Sequence, residues 1–150
     1  MILVDTNILA RSAQPGHSQH QIAIEAVEAL RLRDETLCLV PQVLYEYWSV
    51  ATRPVEQNGL GMTADEAAAD LVATVQRFHV FRDERAIFDV WQRLVLQYRV
   101  LGKNSHDARL VAAMERHGIS GILTFNASDF SRYPGIQILD PAQVVMNSHP

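Results

Sequence analysis

The sequence predicts an α/β fold in which helices cover both faces of a mainly parallel central sheet. Short apolar runs alternate along the chain with amphipathic stretches, and the two have the different hydrophobic periods of strands and helices. The apolar runs are not interrupted by polar residues, which is typical of parallel strands buried on both faces. With 150 residues, 48% of them hydrophobic, we expect one domain spanning residues 1–150, its strands joined by right-handed crossovers.

The first strand is predicted over Ile2–Val4. Pro15-Gly16 then breaks the chain, and Ser18 with Gln21 matches the capping-box pattern that begins a helix. The apolar stripe of that helix comprises Ala23, Ala26, Val27 and Leu30.

The second strand is predicted over Leu37–Val40, and a helix follows it directly. Pro41 suits the first turn of this helix, where the missing N–H costs nothing. The helix should run to about Arg53 and end at Pro54. The segment 56–61 is interpreted as a loop, because its two glycines do not match a dinucleotide-binding fingerprint.

The middle of the chain predicts two more helices around a short strand at Val80-Phe81. Thr63 and Glu66 form a second capping box, and Asp83 is expected to cap the next helix. The apolar stripe of that next helix comprises Ile87, Val90, Trp91, Leu94 and Tyr98. Its aromatic residues favour a core or dimer contact over a platform for stacking bases.

The last third of the chain predicts a helix between strands. Ser105 is the expected N-cap, the helix covers His106–His117, and Gly118 ends it. Ile122–Phe125 and Ile136–Leu139 are the final two strands.

Composition restricts the classes of function. The chain carries 13 basic and 17 acidic residues, a formal charge of -4, which argues against a general basic coat for nucleic acid. An enzyme that holds nucleic acid through a metal ion and a few arginines is still compatible. Cys38, the single cysteine, is interpreted as a core residue. The start of the chain does not resemble a secretory signal, and no apolar run approaches the roughly 18 residues of a membrane span, so we expect a cytoplasmic protein.

Four acidic residues are the candidate site. Asp5 follows the first strand, Asp107 lies in the first turn of its helix, and Asp129 follows a later strand. Glu46 stands in an otherwise apolar helix. Each acid alone could have a structural role, but the topology brings all four towards the carboxyl edge of the sheet. Clustered carboxylates need a cation, and oxygen ligands favour Mg²⁺ or Mn²⁺, which suits hydrolysis of phosphodiesters by a water activated on the metal.

Four segments resemble the successive motifs of PIN-domain ribonucleases, and most nearly the VapC-type toxins of bacterial toxin–antitoxin modules. They are Val4–Leu9, the helix that carries Glu46, His106–Met114 and Leu123–Phe130. The resemblance implies a Rossmann-like three-layer domain, a Mg²⁺ or Mn²⁺ centre and endonucleolytic cleavage of RNA. It also implies a homodimer and inhibition by a cognate VapB-like antitoxin.

The resemblance assigns the site residue by residue. Asp5, Glu46 and Asp107 match the first three acids of the family. For the fourth, many members have an acid where this chain has Asn126, and others have it in the Asp-Phe pair that follows, as here, so Asp129 is assigned with Asn126 left as the alternative. Thr124 and Asn126 are assigned with Asp129 as supporting polar groups. Next to these acids, Thr6 and Asn7 are predicted to have supporting roles, and Arg11, Arg109 and Arg132 are candidate substrate contacts, the last two because they are close in sequence to Asp107 and Asp129.

These supporting roles have simpler alternatives. Thr6 and Asn7 would fix Asp5 or a water on the metal, or else only close the turn after the first strand. The three arginines are candidates for RNA phosphate, or solvated surface cations. A haloacid-dehalogenase-like phosphatase is disfavoured because Asn7 stands where its second acid is needed. A non-catalytic interaction or scaffold protein on the same fold is the alternative left open.

Overall fold

A computed structural model describes residues 1–148 and contains a five-stranded, all-parallel sheet in the order β3-β2-β1-β4-β5. The strands are β1 Ile2–Val4, β2 Leu37–Leu39, β3 His79–Val80, β4 Gly121–Leu123 and β5 Gln137–Leu139. The helices are α1 Thr6–Ser12, α2 His20–Leu32, α3 Pro41–Thr52, α4 Ala64–Arg77, α5 Ala86–Gln97, α6 Asn104–His117 and α7 Pro141–Met146. Two short 3₁₀ turns cover Val55–Gln57 and Ala127–Asp129.

Strand β1 lies at the centre of the sheet and marks the point where the strand order reverses. Leu3 is in register with Cys38 of β2 on one side and with Ile122 of β4 on the other. The chain runs outwards from β1 through β2 to β3, then returns to place β4 and β5 on the opposite side. The carboxyl ends of β1 and β4 therefore border the crevice in which α/β proteins bind ligands.

The helices form two packed groups around this sheet. Helix α1 packs on both α2 and α3, α3 packs on α4, α7 packs on α2, and α5 packs on α6. Leu3, Leu39 and Ile122 are completely buried, as expected for strands covered on both faces. The predicted three-layer α/β architecture is confirmed.

Several local predictions are also confirmed. Pro41 is in the first turn of α3, and both hydrogen bonds of the capping box between Thr63 and Glu66 form at the start of α4. Gly118 ends α6 with a left-handed φ of 68°, a conformation that glycine adopts without a Cβ penalty. Trp91 and Tyr98 pack against the core, as the stripe on α5 predicted.

Helix α1 was not predicted, and the capping box at the next helix was predicted wrongly. The Asp5 carboxylate accepts a hydrogen bond from the Thr6 N–H and so caps a seven-residue helix directly after β1. Helix α2 begins only at His20, and the Gln21 side chain donates to Glu25 at 2.9 Å instead of reaching back to a cap. A side-chain pair one turn along the helix has replaced the predicted box.

The predicted caps of α5 and α6 are wrong for a similar reason. Helix α5 begins at Ala86 without a side-chain cap, and the Asp83 carboxylate pairs with Arg109 at 3.0 Å. Helix α6 begins at Asn104, so Ser105 lies inside its first turn. The Ser105 carbonyl accepts a hydrogen bond from the Trp91 indole at 2.9 Å. Tertiary contacts therefore decided both helix starts.

Cys38 is completely buried in β2, as predicted for a core residue. Burial raises the pKa of its thiol to about 11, which leaves little thiolate for reaction. Among residues 1–148, no helix combines the length and the apolar character needed to cross a bilayer.

Candidate metal centre

The predicted acids gather at one cleft at the carboxyl edge of the sheet. Eight of the predicted site residues line this cleft: Asp5, Thr6, Asn7, Arg11, Glu46, Asp107, Asn126 and Asp129. They come from the end of β1, from α1, α3 and α6, and from the segment after β4. We call this surface the acidic cleft. Both candidates for the fourth acid position, Asn126 and Asp129, belong to it.

Asp5 is held rigidly at the base of the acidic cleft. Its side chain is only 7% exposed. One carboxylate oxygen, Oδ1, accepts from the Thr6 N–H at 2.7 Å. The other, Oδ2, accepts from the Thr124 hydroxyl at 2.7 Å and from the Asn7 amide at 3.1 Å. A carboxylate with both oxygens engaged in this way has a fixed orientation.

Thr124 joins the end of β1 to the segment after β4. Its fully buried hydroxyl donates to Asp5 and accepts from the Asn126 N–H at 3.0 Å. The Asn7 side chain adds a second link, since its oxygen accepts from the Phe125 N–H at 3.2 Å. Thr124 itself does not line the acidic cleft and lies behind it.

Burial raises the pKa of Asp5, and it is the largest influence on this group. The hydrogen bonds from Thr124 and Thr6 oppose that increase because they favour the ionised form. The negative charges of Glu46 and Asp129 raise the pKa further.

Glu46 is half-buried on α3 and is held from two sides. Its Oε2 accepts from the Thr6 hydroxyl at 2.9 Å, and its Oε1 accepts from the Gln42 amide at 2.8 Å. Thr6 therefore contacts two acids of the cleft, Asp5 through its backbone and Glu46 through its side chain.

Asp107 carries the clearest sign of uncompensated negative charge. Its pKa is raised to about 6, first by burial and then by three neighbouring carboxylates. These belong to Asp129, Asp5 and Glu46, and only His106 acts in the opposite direction. Such mutual repulsion disappears when a cation binds among the carboxylates.

The acidic cleft fits Mg²⁺ or Mn²⁺ in the chemistry of its donors, which are oxygen atoms of carboxylates and amides. Within residues 1–148, the four ion pairs of the structure all involve other acids, so no basic side chain lies within ion-pair distance of these four carboxylates. As they stand, no three His, Cys, Asp or Glu side chains in that range surround one point closely enough to hold an ion. Binding would therefore require side-chain rotation, which the partly exposed Asp107 and Asp129 can undergo by changing rotamer while Asp5 and Glu46 stay held by their hydrogen bonds.

Three residues of this region escaped the sequence analysis. Arg53 and Asn58 line the acidic cleft, and Gln42 bonds to Glu46 just behind it. A signal was available, because residues 42, 46, 50 and 53 follow the i, i+4 and i+3 spacing of one helix face. Reading the helix outwards from Glu46 would have found Gln42 and Arg53.

Arg53 is held at the rim of the acidic cleft by the loop that ends α3. The Gly61 N–H donates to the Arg53 carbonyl at 2.9 Å, and Asn58 adopts a left-handed φ of 62°. A Cβ at Gly59 would lie 2.0 Å from the Arg53 carbonyl oxygen, so this approach requires glycine. Gly59 and Gly61, the two glycines that do not match a dinucleotide-binding fingerprint, thus have a structural role in this loop.

The three predicted arginines have different surroundings. Arg11 lines the acidic cleft, and its guanidinium donates to Gln19 and Gln14. Arg109 lies next to the cleft but contacts Asp83 and Gln42. Arg132 does not line the cleft.

Comparison with known proteins gives consistent matches over most of the chain. The family model described as the PIN domain matches residues 2–136. Ribonuclease VapC48 of Mycobacterium tuberculosis is 27% identical over 139 residues, which cover 91% of this chain and 94% of that protein. The DNA-bound VapBC structure from Salmonella typhimurium aligns with a TM-score of 0.64 at 19% identity, covering 94% of this chain and 99% of that chain. VapC20 of M. tuberculosis, described as a sarcin-ricin loop cleaving toxin, aligns with a TM-score of 0.58 at 21% identity, covering 81% of this chain and 87% of that chain.

Proposed function

The chain belongs to the PIN domain family, and from this premise we propose that it is a metal-dependent endoribonuclease, the toxin of a toxin–antitoxin module. The observation that carries the proposal is the acidic cleft, where four carboxylates from separate elements line one surface, raise the pKa of Asp107 and, within residues 1–148, form no ion pair with a basic side chain. The ribonuclease name of its relative in M. tuberculosis supports RNA as the substrate.

We propose that Asp5, Glu46, Asp107 and Asp129 bind Mg²⁺ or Mn²⁺. When bound, the ion would activate water and offset negative charge on the phosphodiester. Thr124 and Asn7 orient Asp5 through the hydrogen bonds described above, and Thr6 orients Glu46. Asn126 offers an amide oxygen at the same rim and is the alternative fourth ligand.

Positive charge at the rim is expected to hold RNA phosphate. We assign this role to Arg11 and Arg53, which both line the acidic cleft. Arg109 already forms an ion pair with Asp83, whereas the side-chain partners of Arg11 are neutral amides, and Arg132 does not line the cleft. An overall charge of -4 means that affinity for RNA should depend on these local contacts and on the metal.

The partners follow from the same proposal. The structural relatives include a VapBC complex from S. typhimurium, which supports a VapB-like antitoxin as the protein partner of this chain. We further propose that the chain is a single domain over residues 1–150, forms a homodimer and acts in the cytoplasm, where its RNA substrate is found. A small DNA-binding protein encoded next to this gene is the expected antitoxin.

The test measures cleavage of RNA by the purified protein in Mn²⁺ and in EDTA. Wild type is compared with two Asp→Asn variants. We expect wild type and Asp34→Asn to cut RNA with Mn²⁺ only, because Asp34 is an exposed residue outside the acidic cleft. Asp107→Asn should lose cleavage. Absent cleavage by folded wild type, or equal cleavage by Asp107→Asn, would refute the nuclease and favour a non-catalytic scaffold protein.

A further inference from the structure

Gln42 is a buried polar residue whose side chain makes three hydrogen bonds next to the acidic cleft. It lies on α3, one turn before Glu46, and is 7% exposed. Its amide nitrogen donates to Glu46 Oε1 at 2.8 Å and to the His106 carbonyl at 2.8 Å. Its amide oxygen accepts from the Arg109 guanidinium at 3.2 Å. Both amide hydrogens are thus used, as burial of this group requires.

The orientation of the Gln42 amide is determined by its partners. Exchanging its nitrogen and oxygen would point the oxygen at the Glu46 carboxylate and at the His106 carbonyl, which are both acceptors. It would also point the NH₂ group at Arg109, which is only a donor. One orientation is therefore compatible with the surroundings, and in it the amide donates towards the acids.

Gln42 connects two of the proposed metal ligands. It bonds directly to the Glu46 carboxylate on α3, and it bonds to the backbone of His106, the residue before Asp107 on α6. These two helices come from distant parts of the chain. The Gln42 side chain therefore fixes the position of Glu46 relative to the first turn of α6.

The outer end of Gln42 is anchored by an ion pair. Arg109 donates through Nη1 to Gln42 and through Nη2 to Asp83 at 3.0 Å. On the other side, Thr6 holds the second oxygen of Glu46 at 2.9 Å. The Glu46 carboxylate is thus held between two neutral donors, neither of which adds a positive charge that would compete with a cation.

We propose that Gln42 is a positioning residue for the metal centre: it aligns Glu46 with Asp107 so that both can bind one divalent ion. This inference rests on the proposed function. Hydrogen-bond partners of metal ligands contribute about 10- to 100-fold to metal affinity, and Gln42 has this role towards one ligand directly and towards a second through the backbone.

The experiment compares Gln42→Met with a matched control on the same helix. Methionine keeps the length of glutamine but makes none of its hydrogen bonds. Tyr47→Phe also removes one hydrogen bond of a buried α3 side chain, the one from the Tyr47 hydroxyl to Asp70, but Tyr47 lies away from the acidic cleft. Mn²⁺ affinity is measured without RNA, from the paramagnetic resonance signal of free Mn²⁺, and thermal unfolding is measured in EDTA.

We expect Gln42→Met to weaken Mn²⁺ binding about tenfold or more, and Tyr47→Phe to leave it within about twofold of wild type. The Mn²⁺ concentration for half-maximal RNA cleavage should rise in parallel for Gln42→Met alone. If Gln42→Met does not fold, Gln42→Asn replaces it, because this shorter amide cannot reach Glu46 and His106 together, and the same loss of affinity is expected.

Two results would overturn the inference: Mn²⁺ binding by the folded Gln42 variant within twofold of wild type, or an equal loss in Tyr47→Phe. Either result, with wild type still binding Mn²⁺ and cutting RNA, refutes the role of Gln42 and leaves the proposed function standing. If wild type neither binds Mn²⁺ nor cuts RNA, the proposed function fails and the role of Gln42 falls with it.

Discussion

Replacing Asp107 by asparagine should stabilise the metal-free protein while removing its activity. The pKa of Asp107 is raised to about 6, largely by burial and then by the neighbouring carboxylates, whereas an unfolded aspartate titrates near 4. A pKa difference of about two corresponds to roughly 3 kcal/mol of unfavourable free energy for the ionised form. Because the side chain is partly exposed, solvent screens part of this unfavourable energy. We therefore expect Asp107→Asn to raise the free energy of unfolding by about 1–2 kcal/mol.

The stability advantage of Asp107→Asn over wild type should be largest at high pH and disappear as the pH falls. Above about pH 6 the carboxylate is ionised in the folded and the unfolded state, so the folded protein carries the full penalty and Asp107→Asn shows its full advantage. As the pH falls from about 6 towards 4, the folded state takes up the proton first and the penalty disappears. Below that range, wild type and variant should have similar stability.

Thermal unfolding in EDTA at pH 8 and at pH 4.5 measures this difference. At pH 8 we expect the unfolding midpoint of Asp107→Asn to lie about 2–8 °C above that of wild type, since 1 kcal/mol shifts the midpoint of a domain of this size by about 2–4 °C. Asp34→Asn serves as the control and should change stability by less than about 0.5 kcal/mol. An Asp107→Asn protein that is less stable than wild type at pH 8 without metal would refute the raised pKa of Asp107 and the unfavourable free energy of its ionised form.

Other measurements test separate parts of the site. Thr124→Val should destabilise the protein by about 2 kcal/mol in denaturant unfolding at pH 8, because Asp5 loses a hydrogen bond to its ionised form. Mn²⁺ at 100 times its dissociation constant should stabilise wild type by about 2.7 kcal/mol at pH 8, and by less at pH 5, where Asp107 is largely protonated; an equal effect at both values would contradict binding by that carboxylate. Arg53→Gln should weaken binding of RNA to the Asp107→Asn protein and lower the salt dependence by about one charge, whereas Arg53→Lys should retain the salt dependence. Cys38 should react with a thiol reagent only after unfolding, given its complete burial and the raised pKa of its thiol.

The layer architecture and the edge that carries the acids could be predicted from the sequence because they depend on regular patterns. Uninterrupted apolar runs such as Ile2–Val4 can be buried only in a covered sheet. Acids that directly follow such runs must then lie at its carboxyl edge. Asp5 directly follows β1 and Asp129 lies in the segment after β4, whereas Asp107 is brought to the same edge by the first turn of α6; all three line the acidic cleft.

Details that depend on distant partners could not be predicted in this way. Asp83 has the sequence context of a helix cap, but Arg109, 26 residues further along, provides a partner for its carboxylate. Helical spacing places Gln42 on the same face of α3 as Glu46, but its hydrogen bonds to His106 and Arg109 join residues more than 60 positions apart and cannot be inferred from that spacing. In each case the choice of partner is a tertiary contact that local sequence does not encode.

The hydrogen bond between Thr124 and Asp5 joins residues that are 119 positions apart. A chain that is still being synthesised therefore lacks the hydrogen bond from Thr124 to Asp5 until β4 has emerged and paired with β1. Asp129 is synthesised later still. If this protein cuts RNA, its site is complete only after the last of these residues has been synthesised, and a neutralising partner is needed only from that point.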